Sequence, residues 1–81
     1  MSSEVTIYTT DRCPYCSNAK ALLHARGLGG FREIRVDQSA EQMAEMLARS
    51  GRRTVPQIWI GERHVGGYED LLALARNGGL D

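Results

Sequence analysis

An α/β fold is predicted for this chain, in the order β-α-β-α-β-β-α, with a four-stranded mixed sheet flanked by three helices. Three observations predict it. Short runs rich in β-branched and aromatic residues alternate with longer stretches of helical spacing. Each helical stretch stops at a glycine, namely Gly27, Gly51 and Gly78. The last two strand-like runs are separated by Gly61-Glu62 alone, which reads as a hairpin turn. The opening β-α-β unit should form a parallel pair with a right-handed crossover, and the hairpin then makes the sheet mixed. A chain of 81 residues is one small domain, 1–81, with a modest core.

The first strand spans residues 5–9, Val5-Thr6-Ile7-Tyr8-Thr9. The first helix spans 14–26. Pro14 suits its opening position, where a missing N–H costs nothing, and Ala19, Leu22 and Leu23 form its apolar stripe. The second strand covers 31–36, with Phe31, Ile34 and Val36 as imperfectly alternating apolar members. The second helix starts near Ser39, where Ser39-Ala40-Glu41-Gln42 has the capping-box form; Met43, Met46 and Leu47 face inward. The third strand is 57–60 and the fourth 63–65. The third helix runs over 69–77, with Leu71, Leu74 and Ala75 inward. Trp59 opposes Ile58 and Ile60 and should pack under a helix. His24 is expected to be a partly exposed helix residue, and His64, in the hairpin, has no assigned role.

Composition excludes several classes. A formal net charge of zero argues against an electrostatic grip on nucleic acid or anionic membrane. No apolar run approaches the roughly 20 residues that span a bilayer. The start, Met1-Ser2-Ser3-Glu4, lacks the basic and apolar regions of a signal peptide, which suggests a cytoplasmic protein. In that reducing compartment two cysteines point to catalysis or metal binding, not to a structural staple.

Those cysteines carry the chemistry. Cys13-Pro14-Tyr15-Cys16 follows the first strand and opens the first helix. A thiol there meets unpaired N–H groups and the positive end of the helix dipole, which favours the nucleophilic thiolate. Cys13 should attack, because it sits at the exposed helix end; Cys16 lies inside the first turn. A local disulfide would constrain the unfolded chain little, and a zinc site usually takes four ligands, whereas the two histidines here are distant. No metal site is expected. A Cys-x-x-Cys beside a βαβ pattern reads as a thioredoxin-like fold.

Two further segments complete a pattern. With Thr54-Val55-Pro56 and Gly66-Gly67-Tyr68-Glu69-Asp70 in order behind the cysteine pair, the chain resembles a glutaredoxin, most closely the small bacterial dithiol kind, over nearly all its length. The resemblance implies a glutathione-dependent disulfide oxidoreductase with glutathione as co-substrate and no permanently bound cofactor. It implies two routes. In the dithiol route Cys13 attacks a protein disulfide and Cys16 resolves the intermediate. In the monothiol route Cys13 alone takes glutathione from a glutathionylated protein. The implied partners are glutathionylated or disulfide-bonded proteins, among them ribonucleotide reductase, with glutathione reductase and NADPH upstream. A monomer is expected.

Glutathione has two carboxylates, an ammonium group and an extended middle. The resemblance makes the Val55–Pro56 bond cis, where the residues alone favour trans, and turns the Val55 backbone toward the ligand like an added strand. Gly67, Tyr68 and the third helix's N-terminus suit the γ-glutamyl carboxylate, with Glu69 or Asp70 for the ammonium. Tyr15 would wall the mixed disulfide. One departure stands out. The family often has Lys three residues before the first cysteine, and here that position is Thr10. Arg12 or Arg53 could bind the glycine carboxylate instead. Two other readings compete. An iron–sulfur module held by two chains is disfavoured by Pro14, Tyr15 and Cys16. A redoxin served by thioredoxin reductase would not need the 67–70 grip.

Overall fold

The computed structural model describes residues 4–80. Met1-Ser2-Ser3, part of the stretch read as lacking a signal peptide, and Asp81 lie outside the described residues. The elements are β1 (Val5–Thr9), α1 (Pro14–Ala25), β2 (Arg32–Arg35), α2 (Ala40–Ser50), β3 (Gln57–Ile60), β4 (Arg63–Gly66) and α3 (Tyr68–Arg76), with a 3₁₀ turn over Val36–Gln38. The four strands form one sheet in the order β2-β1-β3-β4. β1 runs parallel to β2 and antiparallel to β3, and β3–β4 is the expected hairpin. This is the three-helix, mixed-sheet architecture of the thioredoxin-like fold.

Alternation along the strands sorts the core onto two faces. Ile7 pairs with Ile58, and with Val5 they meet Ala19 and Leu23 of α1 and Leu71 and Ala75 of α3. Tyr8 and Trp59 point the other way, onto Val36 and onto Met43 and Met46 of α2. Trp59 therefore packs under a helix as expected. α1 and α3 share one face, and α2 covers the other.

Several boundaries differ from expectation. β2 is shorter than 31–36. Phe31 sits before it, edge-on to the His24 ring at 5.3 Å, and Val36 turns into the 3₁₀ segment. The strand ends there because Asp37 bends back to bond Arg35 and the backbone of Asp11. α1 stops one residue early, at Ala25. β4 runs on to Gly66, and α3 occupies 68–76 rather than 69–77, with Gly67 as its N-cap. At α2 the Ser39 side chain accepts the Gln42 N–H at 3.3 Å, but Gln42 Oε1 is buried with no partner, so only half of the capping box forms. Gly51 closes α2 with a left-handed φ of 72°.

Candidate active site

Cys13 is itself the N-cap of α1. Its backbone is extended, and its sulfur takes the place of the usual capping oxygen, accepting the Cys16 N–H at 3.1 Å. The helix entry thus places a backbone donor on the Cys13 sulfur. Cys13 Sγ also lies 3.9 Å from the Val55 carbonyl oxygen, which ties the start of α1 to the segment before β3. Both thiols are free. Cys13 is partly exposed and Cys16 only 2% exposed. Burial, and then contact with the Cys13 side chain, push the Cys16 thiol up to about 12. Two chemically identical residues, one turn apart, therefore differ: one thiol is open to substrate, and the other is sheltered and protonated.

The loop before Cys13 is held from a distance. Asp37 accepts the Asp11 N–H at 3.1 Å and pairs with the Arg35 guanidinium through both oxygens. That guanidinium holds the Asp37 carboxyl down to about 2. At the end of β1, Glu33 of β2 accepts the buried Thr9 hydroxyl at 2.7 Å and pairs with Lys20 of α1 at 3.0 Å.

A groove of about 250 Å³ opens beside the cysteines, lined by Tyr15, Pro56, Gly67, Tyr68, Glu69 and Asp70. Tyr15 is 58% exposed, and its ring lies 6.2 Å from that of Tyr68. The Val55–Pro56 bond is cis. A Cβ added to Gly67 would stand 3.5 Å from the Pro56 carbonyl oxygen, so the N-terminus of α3 packs close against this segment. Gly66 has a φ of 118°, and a Cβ there would collide with the Asp70 carboxylate.

The two acidic candidates for an ammonium group differ in availability. Asp70 already accepts the Gly67 N–H at 2.9 Å and pairs with Arg52 at 3.3 Å. The Gly67 N–H, and then the Arg52 guanidinium, hold the Asp70 carboxyl below the usual carboxylate range. Glu69 is exposed on the groove with its carboxylate uncommitted among the described residues. Arg12 and Arg53 are both exposed, and Arg12 has a left-handed φ of 55°. Thr54 is exposed as well; its carbonyl and hydroxyl oxygens accept from Gln57 Nε2 at 3.0 and 3.2 Å.

The structure thus brings Cys13, Tyr15, Val55, Pro56, Gly67, Tyr68 and Glu69 to one end of the sheet, past the last residues of β1 and β4 and ahead of the first of β3. Sequence reasoning passed over Arg52, Asp37 and Gln57. Gln57 carried a signal: a polar residue opening an otherwise apolar strand beside the Thr54-Val55-Pro56 segment. No helix of the described residues is long and apolar enough to cross a membrane. No group of three or more His, Cys, Asp or Glu side chains among the described residues is placed to hold a metal ion.

Comparison with known proteins bears on this geometry. The glutaredoxin family model matches residues 5–65. The glutaredoxin of Neisseria meningitidis is 61% identical over 77 residues, which cover 95% of this chain and 91% of the relative. The solution structure of glutaredoxin from Brucella melitensis matches with a TM-score of 0.82 at 54% identity, covering 99% of this chain and 86% of that one. The crystal structure of a buckwheat glutaredoxin–glutathione complex matches with a TM-score of 0.84 at 31% identity, covering 96% of this chain and 73% of that one.

Proposed function

The chain belongs to the glutaredoxin family and is a glutathione-dependent thiol–disulfide oxidoreductase, and from that premise we propose how its residues divide the work. The observation that carries the division is the contrast between the open Cys13 sulfur, capped by the Cys16 N–H, and the sheltered Cys16 thiol.

In the dithiol route the Cys13 thiolate attacks one sulfur of a substrate disulfide. A mixed disulfide forms, and the other substrate sulfur leaves as a thiolate and takes a proton from solvent. Cys16 then loses its proton and attacks Cys13 Sγ. This closes the Cys13–Cys16 disulfide and releases the second substrate thiol. A Cys13 sulfur bound in a disulfide carries no negative charge, so it opposes a thiolate at Cys16 less than the Cys13 thiolate does. Cys16 thus becomes easier to deprotonate at the step that needs its thiolate. Two glutathione molecules reduce the internal disulfide and leave as glutathione disulfide. In the monothiol route Cys13 attacks the glutathionyl sulfur of a modified protein, the protein thiol departs, and a second glutathione frees Cys13.

Glutathione lies in the groove beside Tyr15 and Tyr68. Its extended middle pairs with the Val55 backbone between Thr54 and Pro56. Its γ-glutamyl carboxylate meets Gly67 and the first N–H groups of α3, and its ammonium meets Glu69, since Asp70 is engaged by Gly67 and Arg52. Arg12 and Arg53 serve the glycine carboxylate in place of the lysine absent at Thr10. Residues 1–81 act as a single glutaredoxin domain, a cytoplasmic monomer without a resident cofactor. Its partners are glutathionylated and disulfide-bonded proteins, ribonucleotide reductase among them. Glutathione reductase and NADPH renew the glutathione, which ties the chain to cell redox homeostasis.

Disulfide reduction coupled to NADPH tests this reading, with glutathione plus glutathione reductase in one arm and thioredoxin reductase alone in the other. Turnover is expected in the first arm only. Cys13→Ser should abolish it, whereas Cys16→Ser should keep the removal of glutathione from a mixed disulfide. Turnover of Cys13→Ser would overturn the assignment of the nucleophile.

A further inference from the structure

Gln57 is among the few buried polar residues, at 1% exposure, and its side chain is fully occupied. Nε2 donates to the Thr54 carbonyl oxygen at 3.0 Å and to Thr54 Oγ1 at 3.2 Å, and Oε1 lies 2.8 Å from His64 Nε2. A carbonyl oxygen only accepts, so the amide nitrogen must face Thr54 and the amide oxygen must face the imidazole. His64 Nε2 therefore carries a hydrogen and donates it.

The imidazole is itself firmly seated. It stacks on Trp59, with centroids 4.5 Å apart and planes at 28°. Trp59 in turn meets the Arg49 guanidinium at 4.4 Å and the Tyr8 ring edge-on at 5.2 Å. Burial first, then Arg52 and Arg49, favour neutral His64, and Asp70 opposes them. Protonation would leave Nε2–H a donor, so the bond to Gln57 survives it. A continuous path runs from the α2-side core through His64 and Gln57 to Thr54. It ends one residue before Val55, whose carbonyl oxygen touches Cys13 Sγ.

We propose that Gln57 and His64 are positioning residues that hold the Thr54–Val55 backbone in register with Cys13 and so set the affinity of the site for glutathione. The proposal rests on the reading that Val55 pairs with glutathione. The residues between α2 and β3 form no helix or strand, so their backbone depends on side-chain ties, of which the Gln57 bonds to Thr54 are the ones beside Val55 and the Arg52–Asp70 pair lies farther from it.

The test titrates S-methylglutathione, which has no thiol to exchange, into the reduced, nitrogen-15-labelled full chain. It compares wild type with His64→Phe, which keeps a ring on Trp59 and removes the donor to Gln57. In wild type the Val55 amide resonance should shift. In His64→Phe the dissociation constant should rise about fivefold, the scale of one lost hydrogen bond. KM for a glutathionylated peptide should rise in step at nearly unchanged kcat, while alkylation of Cys13 by iodoacetamide proceeds at the wild-type rate. Gln57→Met, which keeps an unbranched side chain and removes both N–H donors to Thr54, should reproduce the effect and gives a second reading should His64→Phe fail to fold. A shifting Val55 amide with unchanged affinity in the folded variants overturns the brace alone. Affinity loss accompanied by equally altered alkylation also overturns it, because that marks general loosening. A Val55 amide that stays still in wild type overturns the glutathione pairing and the brace together.

Discussion

On the face of the sheet under α1 and α3, Val5, Ile7, Ala19, Leu23, Ile58, Leu71, Ala75 and Leu80 form a core of aliphatic side chains. On the face under α2, Tyr8, Val36, Met46 and Trp59 form a smaller core whose aromatic members carry polar edges, and around it sit Arg49, His64 and Gln57. Burial of apolar area needs no particular partner, so the first face supplies cohesion. A buried amide or phenol must find a partner, so the second face specifies positions as well as stability. Its polar path leads to Thr54, two residues before Pro56 of the groove. The aliphatic face meets the site through the N-termini of its two helices, α1 with Cys13 as N-cap and α3 with Gly67 as N-cap.

If the division holds, the largest effect on stability should come from the aliphatic face. Leu23 is fully buried there, and Leu23→Ala should cost about 2–5 kcal/mol by urea denaturation. Turnover per folded molecule should stay at the wild-type level under conditions where the variant remains folded. A change in KM would break the comparison.

A smaller loss is expected on the other face. Arg49 donates to the Tyr8 hydroxyl at 2.8 Å and covers Trp59. Arg49→Met keeps an unbranched side chain and removes both interactions, at about 1–2 kcal/mol by the same denaturation measurement. Here KM for a glutathionylated peptide should rise, because Trp59 supports His64. An unchanged KM would confine Arg49 to stability.

The smallest effect should be ionic and pH-dependent. Asp37, whose pKa falls from its ordinary 3.8 to about 2 chiefly through Arg35, contributes stability that is present above 3.8 and lost as the pH falls toward 2. Melting temperatures across that window should decline less steeply in Asp37→Asn than in wild type. Parallel curves would show that the exposed pair is screened to insignificance.

Much of this arrangement was legible in the chain. β1 and β3 fall on their expected residues, because β-branched and aromatic runs bounded by turn residues leave few alternatives. The helix ends at Gly27, Gly51 and Gly78 were readable because a left-handed backbone strongly favours glycine, and all three have φ between 72° and 76°. Cys13-Pro14 was legible as a helix start, and Cys13 is the N-cap of α1. β2 was less legible: its two polar neighbours Arg32 and Glu33 are exposed, so periodicity there is weak, and Asp37 ended it through a bond to residue 11.

The sequence by itself determined the order and type of the elements, the glycine stops of the three helices and the placing of Cys13 at a helix start, since these depend on residues within about one helical turn of each other. The tertiary structure decided which acidic side chain stays free on the groove: Arg52 and Gly67 claim Asp70 and leave Glu69. It also decided that Asp37 holds the loop before Cys13 and that Gln57 joins His64 to Thr54. These partnerships join elements brought together by strand register and helix packing, and no local pattern of residue types specifies which donor will meet which acceptor across a sheet.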